Sequence, residues 1–171
     1  MLIIFGKPTA LSALIGIPIA LAGEFLRCWA VGYSGVTTRG DHVEAPALVS
    51  AGPYGYVRNP LYVGNFITAL GFAIAFTGAL PAAQRSILVL VALAIMVTVY
   101  AIIVPHEEGF LHNKFGLVFE QYCARVPRII PKFPPFAGNG TFRAEVIRDA
   151  ETRTFVTFAV MLGALALKAA F

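Results

Sequence analysis

The chain has 171 residues, of which 58% are hydrophobic and only 13% are charged, and its mean hydropathy is +0.76. Soluble domains carry about 25% charged residues, so this composition excludes an ordinary soluble domain and predicts a polytopic membrane protein. The net charge of +4 does not indicate nucleic acid as a partner, because most basic residues flank apolar blocks, as topology signals do. Cys28 and Cys123 are far apart and neither has a set of neighbouring ligands, so we expect neither a disulfide nor a metal site.

Long apolar blocks predict an all-α bundle of about four transmembrane helices in a single membrane domain, since about 20 apolar residues cross a bilayer. Within residues 1–171, the spans are expected at about 8–33, 61–80, 86–104 and 152–171. The first block does not resemble a cleaved signal peptide, because it is too long and no clear small-residue cleavage site follows it. Gly71 and Gly78 lie seven residues apart on the second span, a spacing that favours close contact with another helix.

A polar stretch at residues 50–64 leads from a loop into the second span. It contains three tyrosines and one arginine, Arg58, in a chain that is otherwise largely apolar. Pro60 cannot donate a backbone hydrogen bond and suits the first turn of a helix, so it indicates where the loop ends. We therefore expect this loop to hold part of a functional site.

A second polar stretch, residues 105–131, follows the third span. His106 is expected to open a new helix, on which Glu108 shares a face with Leu111 and Phe115. A carboxylate on an apolar face needs hydrogen-bond donors, because burying it unpaired is costly. The hydroxyl groups of a nucleotide would be suitable donors; alternatively, the acidic pair is simply stabilised by the dipole at a helix N-terminus.

The basic residues that follow have two interpretations as well. Arg125, Arg128 and Lys132 are interleaved with prolines, and they suit either lipid headgroups or a bound carboxylate. Most Lys and Arg residues accompany the two polar stretches, so the positive-inside rule predicts that both stretches are cytoplasmic and that both termini lie on the opposite side.

Together the two stretches resemble a known family. The first reads Gly52-Pro53-Tyr54-Gly55-Tyr56-Val57-Arg58-Asn59-Pro60-Leu61-Tyr62-Val63-Gly64. It is similar to the motif G-P-Y-x-x-x-R-H-P-x-Y-x-G of the isoprenylcysteine carboxyl methyltransferase-like integral membrane methyltransferases. The second resembles that family's second motif through Glu107-Glu108, Leu111, Phe115-Gly116, Tyr122, Arg125-Val126-Pro127 and Ile130-Pro131. This chain departs from the pattern at Asn59, where the family usually has histidine, and at Phe119, where it often has tyrosine.

The resemblance implies a methyltransferase that binds S-adenosylmethionine between the two motifs, in a cytoplasmic-side pocket, and takes a lipophilic acceptor from the bilayer. It implies cofactor contacts by Gly52, Pro53, Tyr54, Tyr56, Val57, Arg58, Asn59, Tyr62, Glu108, Phe110, Leu111, Phe115 and Arg128. For a carboxylate acceptor, Arg125 is expected to orient the substrate. For an amine or thiol acceptor, Glu107 is expected to take the proton, with Tyr54 or His106 as alternatives.

Two other functions stay open. One is an NADPH-dependent membrane reductase, because the C-terminal region of the sterol C14/C7 reductases resembles the same two motifs; those reductases are much longer and have additional spans. The other is a non-enzymatic scaffold or lipid-binding protein, which would leave the tyrosines and the acidic pair without a role. The acceptor itself stays open among an isoprenylcysteine-like carboxylate, a lipid and a small apolar molecule. Membrane lipids are the expected surroundings, and the oligomeric state is not predicted.

Overall fold

The computed structural model describes residues 1–35 and 47–170, so Arg39, which contributes to the topology argument, lies outside the described residues. The helices are α1 (Leu2–Phe5), α2 (Ala10–Ser34), a 3-10 helix (Gly52–Gly55), α3 (Pro60–Phe76), α4 (Ala82–Phe115), α5 (Leu117–Arg125) and α6 (Glu145–Ala170). Every regular element of the described residues is helical, which confirms the expected all-α fold.

Three helices, α2, α4 and α6, are long and apolar enough to cross a membrane, and α3 is a shorter apolar helix of 17 residues. A crossing takes about 17–25 residues, so α3 lies at the lower end of that range. Each of these helices overlaps one of the four apolar blocks of the sequence, and α3 begins at Pro60, as the proline predicts.

The expectation that a new helix opens at His106 is wrong. Instead, α4 continues through Pro105 and ends at Phe115, with a length of 34 residues. Proline removes one backbone donor, and in this long helix the loss does not interrupt the remaining turns. At 1.5 Å per residue α4 is about 51 Å long, more than the roughly 30 Å apolar core of a bilayer. Its polar end from His106 onward therefore extends beyond the membrane-spanning part, and Glu107 and Glu108 do not lie at a helix N-terminus.

One compact unit comprises Met1–Phe25, Gly64–Val99 and Arg153–Phe171. Within it α2 and α3 pack through small residues: a Cβ atom on Gly71 would collide with the backbone of Ala20 and lie 2.6 Å from the carbonyl oxygen of Gly16. A Cβ atom on Gly78 would likewise meet the side chain of Ser12. The expected close helix contact is thus confirmed at Gly71, whereas Gly78 lies beyond the end of α3 at Phe76 and makes its contact from the turn.

The second compact unit comprises Leu26–Val63 and Tyr100–Thr152, and it contains both polar stretches. Its apolar cluster is formed by Phe119, Tyr122 and Val126. The start of α6 is joined to α2 by a buried ion pair, in which Nη2 of Arg27 donates to both carboxylate oxygens of Glu151 at 3.1 and 2.9 Å. A buried pair with two hydrogen bonds fixes both partners, because removing either would leave a buried charge.

Candidate functional site

Three backbone hydrogen bonds hold the first polar stretch against the end of the second and the residues that follow it. The N–H of Arg58 donates to the carbonyl of Pro127 at 2.8 Å. The N–H of Lys132 donates to Tyr56, and the N–H of Phe136 donates to Gly55. Gly55 must be small here, because a Cβ atom would lie 2.6 Å from the carbonyl oxygen of Phe136. The two motifs, about 70 residues apart in sequence, therefore form one structure.

The loop itself depends on Gly52. Its φ of +60° is a conformation that side chains disfavour, and a Cβ atom would also collide with the ring of Tyr33. Pro53 and Val57 are buried, so they support the loop from within and are not open to a ligand. Tyr56 packs against Trp29 and Phe133, with ring centroids 6.2 and 5.2 Å apart.

Arg58 is the residue that connects the loop, α4 and α5. Its Nε donates to Oε1 of Glu108 at 3.1 Å, and its Nη1 donates to the carbonyls of Cys123 and Val126 at 3.1 and 2.7 Å. Those carbonyls belong to the end of α5, where backbone acceptors lack helical partners. A planar guanidinium donates from separate nitrogens, so it reaches the carboxylate through Nε and the carbonyls through Nη1.

Glu108 is surrounded by donors. Arg128 contacts both carboxylate oxygens, the shortest contact being 2.5 Å between Nη2 and Oε2, and Nδ2 of Asn59 donates to Oε1 at 3.3 Å. The side chain of Glu108 is 12% exposed, whereas that of Arg128 is 50% exposed. Burial alone would raise the pKa of Glu108, but the hydrogen bonds and charges of Arg128 and Arg58 outweigh it and lower the pKa below its ordinary value. Glu108 is thus held ionised, and Arg128 is its accessible partner.

Asn59 also donates to the carbonyl of Arg128 at 3.2 Å. One amide group therefore joins the carboxylate of Glu108 to the proline-rich segment that carries Arg128. An amide does not change its charge with pH, so this position supplies hydrogen bonds and no proton transfer.

Glu107 has a different environment. Its Oε1 accepts a 2.8 Å hydrogen bond from the hydroxyl of Tyr62, whose ring packs on that of Tyr100 with centroids 4.4 Å apart. Among the ion pairs of the described residues, none joins Glu107 to an arginine or lysine. Burial raises the pKa of Glu107, the hydrogen bond from Tyr62 opposes this, and the charge of Glu108 raises the pKa further. Glu107 is therefore the better proton acceptor of the two.

An apolar and aromatic wall lies beside these charges. Leu111 and Phe115, on the last turns of α4, pack against the cluster of Phe119, Tyr122 and Val126. The hydroxyl of Tyr122 donates to the carbonyl of Tyr54 at 2.8 Å, which adds a further link between the motifs. Burial raises the pKa of Tyr54 to about 12, which argues against Tyr54 as a general base near neutral pH.

Some residues proposed for the site make cation–π contacts of their own. The guanidinium of Arg125 lies over the ring of Phe136, 5.4 Å from its centroid, and it is not among the cations around Glu108. The ammonium group of Lys114 lies over the ring of Phe110, 5.6 Å from its centroid. Sequence reasoning missed Tyr100, although it lies seven residues, about two helical turns, before Glu107 on α4, and that spacing could have identified it.

Taken together, the apolar helices and the polar cluster define a helical membrane protein with a site built from two motifs. The chain belongs to the phospholipid methyltransferase family, whose model matches residues 11–117. This confirms the resemblance that the motifs indicate.

Similar curated proteins include the cobalt-zinc-cadmium resistance protein CzcN of Cupriavidus metallidurans, 32% identical over 78% of this chain and 54% of the relative. The nickel-cobalt-cadmium resistance protein NccN of Alcaligenes xylosoxydans xylosoxydans is 31% identical over the same shares. Protein-S-isoprenylcysteine O-methyltransferase of Schizosaccharomyces pombe is 34% identical over 55% of this chain and 35% of the relative. The chain thus spans about half the length of the first two relatives. No solved structure matches the chain.

Proposed function

We propose that the chain is an S-adenosylmethionine-dependent methyltransferase that acts at the membrane on a lipophilic acceptor. The observation that carries the proposal is the cluster of Arg58, Tyr62, Glu107, Glu108 and Arg128, which unites the two motifs of a methyltransferase family. Its position at the polar end of α4, next to the start of α3, suits a reaction between a water-soluble cofactor and an acceptor from the bilayer.

The side chains of the cluster fit S-adenosylmethionine. Glu107 and Glu108 can accept hydrogen bonds from ribose hydroxyls and from the amino group, and Arg128, half exposed, can bind the carboxylate. The cluster also lacks an excess of cations, because it contains two arginines, both paired with Glu108, and a second carboxylate at Glu107. NADPH carries several phosphate charges, and such a ligand calls for an excess of cations. The reductase alternative is therefore less well supported.

When bound, S-adenosylmethionine supplies an electrophilic methyl group to a nucleophile. The residues of this chain then have to align the acceptor and exclude water, and alignment alone can contribute about 7–11 kcal/mol in favourable cases. The wall formed by Leu111 and Phe115 excludes water on one side. Glu107 can take a proton from the acceptor at Oε1, since its pKa is raised and no arginine neutralises it.

This arrangement favours an acceptor that must lose a proton, an amine or a thiol, over a carboxylate. Arg125, the residue expected to orient a carboxylate, lies over Phe136 and not among the cations around the acidic pair. An isoprenylcysteine-like carboxylate is the second candidate, because the Schizosaccharomyces pombe relative is named for that reaction and the exposed guanidinium of Arg128 could orient the group.

Binding to detergent-purified protein tests the proposal. S-adenosylhomocysteine is expected to bind and to raise the midpoint of thermal unfolding, whereas NADPH is expected to do neither. The Glu108→Gln variant should bind S-adenosylhomocysteine at least about tenfold more weakly, about 1.4 kcal/mol, because it loses a charged acceptor. The matched control is Glu120→Gln, which removes an exposed carboxylate paired with His112. Stabilisation by NADPH alone would contradict the proposal, and no response to either ligand would favour a scaffold.

A further inference from the structure

A groove of about 500 Å³ lies in the unit that does not contain the acidic pair. It is lined by α1 and the residues after it, by the α3–α4 turn, by the first turns of α4 and by the end of α6. Its apolar lining includes Phe5, Leu80, Ile87 and Leu88, and its charged lining consists of Lys7 and Lys168. No acidic residue lines it, so the groove combines apolar walls with two positive charges.

Specific hydrogen bonds hold the walls in place. Nζ of Lys168 donates to the carbonyls of Ile4 and Gly6 at 3.2 and 3.0 Å, which fixes the end of α6 to the N-terminal segment. The N–H of Ala79 donates to the carbonyl of Lys7 at 2.9 Å, which fixes that segment to the turn after α3. The groove is therefore built by the fold and does not depend on the chance placement of two surface side chains.

The ammonium group of Lys168 has backbone acceptors but no counter-ion. Among the ion pairs of the described residues, none involves Lys7 or Lys168. The guanidinium of Arg85 adds a third cation nearby, since it caps the carbonyls of Gly78 and Leu80 at 3.0 and 3.2 Å. Next to the groove, Ile87 and Leu90 of α4 are 61% and 64% exposed, as expected for side chains that face acyl chains.

We propose that this groove binds an anionic phospholipid, with the phosphate at Lys7 and Lys168 and an acyl chain along the exposed face of α4 near Ile87. The charge of the groove complements an anionic headgroup, and its apolar walls complement the chain. Ile87 and Leu88 belong to the first turns of α4 and Glu107 to its last third, so this lipid site is a separate feature from the candidate functional site.

Photolabelling tests the proposal on the purified full chain in mixed micelles. A phosphatidylglycerol with a diazirine on the acyl chain is expected to label peptides that contain residues 1–7 and 80–91. Excess unlabelled phosphatidylglycerol should suppress the labelling, and phosphatidylcholine should do so far less. Lys7→Gln and Lys168→Gln should each weaken binding by about fivefold, as expected for one lysine at an anionic headgroup. The control Arg148→Gln, which removes an exposed cation outside the groove, should leave the labelling unchanged.

Three results would overturn the proposal. They are equal competition by phosphatidylcholine, equal competition by inorganic phosphate, and labelling confined to other peptides. Lys7→Gln is the decisive variant, because the side chain of Lys7 is exposed and its replacement does not remove the hydrogen bonds of Lys168. Unchanged labelling in a folded Lys7→Gln protein would exclude a role for its charge.

Discussion

At the scale of single residues, two adjacent carboxylates have pKa values shifted in opposite directions. Glu108 contacts Arg58 and Arg128, and those cations lower its pKa despite its burial. Among the described side chains of the site, Glu107 contacts only the hydroxyl of Tyr62, and burial raises its pKa. The difference arises from the hydrogen-bond donors that the two motif segments bring to each side chain. Glu108 is therefore kept ionised, whereas Glu107 is the proton acceptor.

The pH dependence of stability should reveal this division. Glu108 stabilises the fold at pH values above about 4.5, and this contribution is lost as the pH falls through its lowered pKa. Glu107 has the opposite sign: its contribution is present below about 4.5 and is lost as the pH rises through its raised pKa. At pH 7 we therefore expect Glu108→Gln to lower the midpoint of thermal unfolding and Glu107→Gln to leave it unchanged or raise it.

Thermal unfolding between pH 4 and pH 8 would measure both effects. As the pH rises from about 4.5, the unfolding midpoint of Glu107→Gln should increase relative to that of the wild type. Glu120→Gln serves as the control for the loss of an exposed carboxylate. Equal destabilisation by Glu107→Gln and Glu108→Gln at pH 7 would contradict the division of roles.

Arg58 provides a second comparison at this scale. Arg58→Gln should destabilise the protein by about 1–3 kcal/mol, because it leaves Glu108 and the last carbonyls of α5 with fewer donors. The matched variant is Arg125→Gln, which removes an exposed arginine that lies over Phe136. Chemical unfolding in detergent would compare the two, and an Arg125→Gln effect as large as that of Arg58→Gln would argue against the proposed role of Arg58.

At the scale of elements, the spans were predictable because their length and apolarity are local properties of the sequence. The continuation of α4 through Pro105 was not, since a proline after an apolar block usually indicates a helix end. The break at Gly116, with its φ of +51°, follows from glycine's freedom at a bend. The sequence also could not distinguish Arg125 from Arg128, because their directions depend on how α5 and the segment after it pack against the loop.

The close contact between α2 and α3 can be tested by substitution. Gly71→Ala should destabilise the protein by about 1–3 kcal/mol, because the added methyl group would force the two helices apart. Gly163→Ala on α6 is the control, since a Cβ atom there meets nothing within 4 Å and alanine favours a helix. Thermal unfolding should show a loss for Gly71→Ala and no loss for Gly163→Ala. A Gly71→Ala protein as stable as wild type would mean that the contact can relax without cost.

At the scale of the whole molecule, the distribution of basic residues carries the proposed orientation. Arg58, Lys114, Arg125, Arg128 and Lys132 accompany the two motifs, whereas Lys7, Arg85 and Lys168 accompany the other helix ends. The positive-inside rule predicts that the first group is cytoplasmic, on the side where a water-soluble cofactor is available. If α3 crosses the membrane despite its 17 residues, the turn between α3 and α4 must lie on the opposite side.

Cysteine labelling in intact cells would determine this orientation. In a background without Cys28 and Cys123, cysteine is introduced at Gln84, before the apolar part of α4, or at Lys132, directly after the second motif. Both positions are exposed. A membrane-impermeant maleimide should label the Gln84→Cys protein in intact cells and the Lys132→Cys protein only after permeabilisation, because the intervening apolar helix crosses the bilayer. The cysteine-free protein controls for background. The reverse pattern would place the candidate site outside the cell, where the proposed cofactor is not supplied. Labelling of both positions in intact cells would show that α4 does not separate the two positions across the membrane.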